Sequence, residues 1–182
     1  MENNLPDSEL LAQNKLLESL IDEYGTELKR LAFLYVKDKT LAEDILQEVF
    51  ISCYQNLDSF RKDSSYKTWL IRITVNKSKD ALKKWSLRNI FYRASVKETA
   101  DFTTPEDHLM KKTGDDYLAM QVMSLPLKLR EVIILFYYED LSLVEISSIL
   151  NINLNTVKSR LFRAKSTLKE AMEGSENEWM RM

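Results

Sequence analysis

The run SLVEISSILNINLNTVKSRLFRAKSTL, Ser142 to Leu168, decides how the rest of this chain is read. Ser142 and Glu145 have capping-box spacing, in which a hydroxyl accepts from a free amide and a carboxylate three residues on returns the bond. They open a short helix that ends near Leu150. Asn151 follows, where the chain needs left-handed backbone, and Asn tolerates that best after Gly. Ile152 plugs the corner, and Asn153 can cap the next helix. There Val157, Leu161, Ala164 and Leu168 recur at steps of four, three and four, the spacing of a buried stripe. The opposite face carries Asn155, Ser159, Phe162 and Ser166, flanked by Lys158, Arg163, Lys165 and Lys169. The pattern is that of a helix-turn-helix.

Its outer face is chemically selective. Residues 150–169 hold five basic groups and no acid. A solvated helix surface mixes Glu with Lys, and Phe162 among cations has no solvation reason to be there. In a major groove Phe162 can meet a thymine methyl, while Lys158, Ser159 and Arg163 reach base edges or phosphates. Docking of Phe162 on another protein helix is the competing reading.

Outward from this motif, composition bounds the fold. The chain has 182 residues with only 3 Gly and 3 Pro, which argues against a turn-rich β-sandwich and against a glycine-dependent phosphate cradle. Apolar residues make up 45% and charged residues 30%, as in a mostly helical protein. A single Cys and a single His exclude a disulfide framework and disfavour structural zinc. No apolar run reaches the length of a membrane span, and Met1–Glu9 is acidic and polar rather than signal-like. The expectation is a reducing, cytoplasmic setting.

Charge is segregated along the chain. The formal net charge is −2, yet residues 1–59 sum to −7, 60–97 to +9, 98–149 to −6 and 150–182 to +2. A protein built for nonspecific nucleic-acid binding would be basic throughout, because neutralising phosphates supplies that affinity. Here two limited basic blocks sit in an acidic chain.

Periodicity supplies the remaining elements. Leu17, Leu20, Tyr24, Leu28, Leu31 and Tyr35 form one helical stripe from Leu16 onward. Lys37-Asp38-Lys39 interrupts it, and Thr40 with Glu43 has the spacing of another capping box. The helix after it buries Ile45, Val49 and Cys53, with Leu46, Phe50 and Leu57 beside them. A third helix is expected from Tyr66 to about Trp85. The stretch around KETADFTTPEDHLMKKTGDD has no apolar stripe and reads as a linker, with His108 a solvated residue in it. Four further segments follow: Tyr117–Leu125, Leu127–Tyr138, Leu143–Leu150 and Leu154–Met172. The fold class is all-α, two small helical domains over 1–95 and 115–182 joined by a linker at 96–114.

In the middle basic block Trp69, Ile73 and Leu82 read as core. Arg61, Lys62, Lys67, Arg72, Lys77, Lys79, Lys83 and Lys84, with Tyr66 and Trp85, suit single-stranded or distorted DNA, where cations track the backbone and bases meet aromatic or polar pockets.

Three runs in this order, AEDILQEVFISCYQNLDSFR, YKTWLIRITVNKSKD and LPLKLREVIILFYYEDLSLVEISSILNINLNTVKSRLFRAK, resemble the bacterial sigma-70 family, and the short two-domain form resembles its extracytoplasmic-function group. Three motifs in register are far more specific than one helix-turn-helix. The resemblance implies that the AEDILQEVF helix meets the β′ clamp helices of core RNA polymerase through Asp44, Gln47 and Glu48. It implies that the −10 promoter element is read and opened by the middle block. Asn76 would receive an extruded base in a pocket by the loop matching ITVNKSK, with Arg61, Lys67, Arg72, Lys77 and Lys79 around it. The −35 element would be read from the last helix by Asn155, Lys158, Ser159, Arg160, Phe162 and Arg163. Further implied partners are the polymerase β flap, promoter DNA and an anti-sigma factor, membrane-anchored in many such systems. The linker would thread the polymerase channel. Asn151 departs from relatives that carry Gly or Asp at the turn.

Nothing in the chain has the pattern of a nucleophile–base pair, a metal cluster or a phosphate loop, so no catalysis, cofactor or metal is expected. Two other function classes fit parts of the sequence. A stand-alone helix-turn-helix regulator would bind a two-fold symmetric operator without polymerase. A protein-interaction module that sequesters a polymerase subunit would tolerate Lys158→Ala and Arg163→Ala.

Overall fold

Three residues that are not glycine take up left-handed backbone, Lys37 (φ 59°), Asp140 (φ 51°) and Asn151 (φ 52°), and each ends a helix or the turn that follows one. They punctuate a chain seen here in a computed structural model, which describes the backbone of residues 7–58, 60, 64–95 and 114–179 and the side chains of 8–58, 60, 64–86 and 117–173. The described residues form seven helices and no strands: α1 (Asp7–Val36), α2 (Lys39–Asn56), α3 (Tyr66–Ser95), α4 (Gly114–Ser124), α5 (Leu127–Tyr137), α6 (Leu143–Leu150) and α7 (Leu154–Trp179). The chain divides into two compact units between Arg88 and Asn89. Residues 96–113, which hold nearly all of the expected linker and His108, lie outside the described residues.

In the first unit α1 and α2 pack together as a helical hairpin. Leu20, Leu28, Leu31, Ala32 and Tyr35 of α1 are buried, as are Ala42, Ile45, Val49, Phe50 and Cys53 of α2. The corner between them differs from expectation. The cap of α2 is Asp38, whose extended backbone lets its carboxylate accept from the Leu41 amide at 2.9 Å. Thr40 and Glu43 already lie inside the helix, and Glu43 reaches Lys29 at 3.4 Å instead. The physical reason is Lys37: its left-handed turn sends Asp38, not Thr40, past the helix start. Helix α1 also begins at Asp7, well before the apolar stripe, because Glu9, Leu10, Leu11, Ala12 and Gln13 are all good helix formers.

Helix α3 is capped by Ser65, whose hydroxyl accepts from the Thr68 amide at 3.0 Å, and continues ten residues beyond Trp85. Its buried side chains are Thr68, Leu70, Ile71, Thr74, Val75 and Ser78. Trp69, Ile73 and Leu82, expected as core, are only half-buried. Trp69 and Tyr66 close instead on Phe60, with ring centroids 4.9 and 4.5 Å away.

The second unit holds α4 to α7 around Val122, Leu125, Ile133 and Ala164, with Leu129, Leu161 and Leu168 against them. Burying the stripe of α7 there is what holds a helix of low intrinsic hydrophobicity in place, at roughly 1.5–3 kcal/mol for each large side chain fully removed from water.

Candidate nucleic-acid interface

The turn between α6 and α7 is built from local hydrogen bonds that the sequence spells out. Ser142 Oγ accepts from the Glu145 amide at 3.3 Å, and the Ser142 amide donates to Glu145 Oε2 at 2.9 Å. Asn151 is left-handed (φ 52°, ψ 50°). The Ile152 amide donates to the Ser147 carbonyl at 3.1 Å, and Ser147 Oγ donates back to the Ile152 carbonyl at 2.6 Å. Asn153 Oδ1 accepts from the Asn155 amide at 2.7 Å, capping α7. Val157 and Ala164 are fully buried, so α7 is rotated with that stripe toward the core.

That rotation exposes Asn155, Lys158, Ser159, Phe162 and Arg163 together. Phe162 is 75% exposed. Ser159 Oγ donates to the Asn155 carbonyl at 2.8 Å. Among the described residues no acid forms an ion pair with Lys158, Arg163 or Lys165. Arg160, expected on the same face, is turned inward: its Nη1 lies 2.9 Å from Glu131 Oε1 on α5.

On α3, Arg72, Asn76 and Lys79 fall at intervals of four and three and so share one helix face. Asn76 is exposed in mid-helix. This corrects the expected loop: Ile73–Lys79 is continuous helix, because Thr74 and Val75 within it are buried and Thr74 Oγ1 donates back to the Leu70 carbonyl at 2.9 Å. Lys67 and Lys77 form ion pairs with acids of α1 and α2, Lys67 to Glu27 at 2.7 Å and Lys77 to Glu48 at 3.3 Å. Arg61 lies outside the described residues.

On α2, Asp44, Gln47 and Glu48 are exposed on the side away from Ile45, Val49 and Cys53. Ile51 lies on the same outer face and is 58% exposed. It was not among the candidate residues, although an isoleucine one helical turn past Gln47 is the signal that marks it. Cys53, beneath this face, is no nucleophile, since burial pushes its thiol up to about 11.

The second unit also carries an apolar hollow of about 530 Å³ between α4, α5 and α7, lined by Leu118, Ile133, Tyr137, Tyr138, Leu168 and Met172, with Lys165 and Lys169 at its rim. Its residues come from three helices, so no single periodic stripe announces it. Among the described residues no helix is long and apolar enough to cross a membrane, and no group of three or more His, Cys, Asp or Glu could hold a metal ion.

Comparison with known proteins matches residues 20–87 to the family model of Sigma-70 region 2 and residues 115–168 to that of Sigma-70, region 4. The chain is 34% identical to the ECF RNA polymerase sigma factor SigW of Bacillus subtilis over 163 residues, covering 84% of this chain and 87% of that one. It is 31% identical to the ECF RNA polymerase sigma-E factor of Escherichia coli over 168 residues, 87% of each chain. Among solved structures it is similar in fold to the sigma factor RpoE of Bartonella quintana, crystallised with the anti-sigma factor NepR, with a TM-score of 0.70 at 23% identity over 87% of this chain and 98% of that one. CnrH, solved with the cytosolic domain of CnrY, gives a TM-score of 0.62 at 23% identity over 88% and 90%.

Proposed function

This chain belongs to the sigma-70 family, in its extracytoplasmic-function group, and from that premise we propose that each of its exposed faces meets one component of an initiating bacterial RNA polymerase. The family directs core polymerase to promoters and starts transcription; the chain acts as a dissociable specificity subunit in the cytoplasm, with no catalysis of its own. Asp44, Gln47 and Glu48, with Ile51 among them, dock on the β′ clamp helices, where acids on a DNA-associated protein make sense against a basic protein surface. Arg72, Asn76 and Lys79 meet the −10 element, with Arg61, Lys67 and Lys77 at its borders. Opening the duplex there costs a few kcal/mol of stacking, which fixed polar contacts must offset. Asn155, Lys158, Ser159, Phe162 and Arg163 enter the major groove at −35, and Arg160 serves by holding α7. The apolar hollow suits an amphipathic helix, which we assign to the β flap. Residues 1–95 thus bind core enzyme and −10 DNA, residues 115–182 bind −35 DNA, and 96–114 link them through the polymerase channel. An anti-sigma factor, as accompanies the similar fold of RpoE, is the expected antagonist.

The observation that carries this reading is the coexistence, in one chain, of an acid-bearing α2 face with an outer face that is free of acids from Leu154 to Lys169 on the second helix of a helix-turn-helix. Reconstitution with core polymerase on a cognate promoter tests it. Run-off transcription should depend on the chain and fail when Asp44 and Glu48 are both made Ala; transcription indifferent to the chain would refute the reading. A pI near 5.6 argues against the alternative of strong operator binding without polymerase.

A further inference from the structure

Glu131 is 3% exposed, a carboxylate inside the apolar run of α5 between Arg130 and Val132. An ion in that setting must be compensated by a partner of good geometry. Its Oε1 meets Arg160, 20% exposed, across the unit on the second turn of α7. Arg160 is flanked by Ser159 on the outward face and by Leu161 on the inward stripe, and Lys158 and Phe162 lie two residues to either side. Among the described residues, the other links between α7 and the unit's core are apolar along Val157, Leu161, Ala164 and Leu168, with one hydrogen bond near the far end of the helix, where the Tyr117 hydroxyl donates to the Ala171 carbonyl at 3.1 Å. Apolar contacts are not directional and allow small rotations and slides at little cost. A charge-assisted hydrogen bond of 2.9 Å between two helices is directional and resists both.

We propose that the Glu131–Arg160 pair is the positioning element that fixes the rotation and register of α7, and that it thereby sets −35 sequence selectivity without touching DNA. The inference rests on the reading of α7 as the −35 reader. It assigns Arg160 a different role from its neighbours. Lys158 and Arg163 would neutralise phosphates or bind bases, whereas Arg160 would use its charge inside the protein. A side chain displaced by about an ångström loses a bidentate base contact, so loss of the pair should damage discrimination between sequences more than general affinity.

The experiment uses the full chain assembled with core polymerase. Binding is measured on a cognate promoter and on the same promoter with single −35 base changes, over a range of salt concentrations. The variants are Glu131→Gln, Arg160→Lys, Arg160→Gln and Lys158→Ala, with circular dichroism confirming that each is folded. Glu131→Gln keeps shape and hydrogen bonding while removing the charge, and Arg160→Lys keeps charge while removing the planar fork. Both are expected to lower the ratio of cognate to altered binding about tenfold and to leave the slope of log affinity against log salt unchanged. Lys158→Ala should reduce that slope by about one. A slope reduced by about one in Arg160→Gln would make Arg160 a phosphate contact and overturn the proposal. So would an equal loss on cognate and altered sequences in Glu131→Gln, which marks a pair that only stabilises the fold. If Lys158→Ala changes neither affinity nor slope, the reading of α7 itself is wrong, and the positioning role falls with it.

Discussion

The two units hold their cations differently. In the amino-terminal unit the lysines beside the proposed −10 face are engaged by acids of the same unit, Lys67 by Glu27 at 2.7 Å and Lys77 by Glu48 at 3.3 Å. In the carboxyl-terminal unit Lys158, Arg163 and Lys165 project from α7 with no ion pair among the described residues, and Arg160, which has one, points inward. Surface ion pairs are worth between nothing and about 1 kcal/mol, so the first arrangement does not lock the lysines. It makes DNA compete for them. The second arrangement leaves phosphate as the natural counter-charge. A reader of intact duplex can carry open cations; a reader that acts only on an opened strand inside polymerase gains from cations that stay occupied until the acids find another partner.

The largest expected effect follows from that contrast. Lys158→Ala combined with Arg163→Ala should lower promoter affinity of the reconstituted polymerase roughly a hundredfold, at about 1–3 kcal/mol for each lost contact, and flatten the salt dependence. Lys67→Ala combined with Lys77→Ala should cost less than tenfold, because each lysine gives up an internal acid before it meets DNA. Fluorescence anisotropy at several salt concentrations measures both. Equal losses in the two double variants would break the comparison.

How far the sequence carried the reading also divides by unit. The α6–α7 turn is legible because every device in it is local: Ser142 and Glu145, Asn151, Asn153 and the Val157 stripe act on neighbours within a few residues. In the first unit the decisive facts are less local. Asp38 outcompetes Thr40 as a cap because Lys37 turns left-handed, and lysine has no preference for doing so. The buried face of α3 includes Thr74 and Ser78, two hydroxyls that interrupt the apolar period, so Trp69, Ile73 and Leu82 look more like core than they are. In the second unit Glu131 was beyond reach for a related reason. Its partner lies 29 residues away, and spacing rules do not reach that far. Family resemblance pointed to α2, α3 and α7 as the working helices, but Asn76 sits in mid-helix rather than in a loop, and Arg160 faces its own core.

An alkaline titration separates the units by chemistry. Burial pushes the Cys53 thiol up to about 11 from an ordinary 9. A raised value means the fold favours the protonated thiol, so the contribution is complete below pH 9 and is lost as pH climbs through 11. The loss is on the order of 3 kcal/mol at most, from about 1.36 kcal/mol per unit. Cys53 is the only cysteine, so native-state alkylation reports the amino-terminal unit alone. Labelling should be slow at about pH 8, accelerate as the pH passes from 9 to 11 and stay below the rate in urea throughout that window. Fast labelling at the lower pH would show that α1 and α2 do not seal the thiol.

Caps should weigh equally in the two units, whatever their functions. Ser142→Ala removes the acceptor of the Glu145 amide and the hydroxyl that donates to its carboxylate at 2.7 Å. Asp38→Ala removes the acceptor of the Leu41 amide. Each should lower stability by about 1 kcal/mol in urea unfolding. Asn151→Gly should be neutral, because glycine takes the left-handed turn without a side-chain penalty, whereas Asn151→Val should cost more than either cap.

The smallest effect bears most directly on why the amino-terminal cations are paired. Glu48 belongs to the proposed polymerase face and Lys77 to the proposed −10 border, and their side chains meet at 3.3 Å with more than half of Glu48 exposed. Engaging Glu48 with polymerase would therefore release Lys77 to DNA, and the coupling cannot exceed what a surface pair is worth, under about 1 kcal/mol. In the free chain, Glu48→Gln should raise affinity for a single-stranded −10 oligonucleotide roughly two- to threefold, an increase that high salt erases. In a Lys77→Ala background the same change should do nothing, since the lysine it frees is gone. In assembled polymerase, with Glu48 already engaged, Glu48→Gln should leave the DNA step unmoved once its weaker docking is overcome by excess chain. Additive effects of Glu48→Gln and Lys77→Ala on oligonucleotide binding would mean the two faces act independently, and the acids of this unit would then serve polymerase alone.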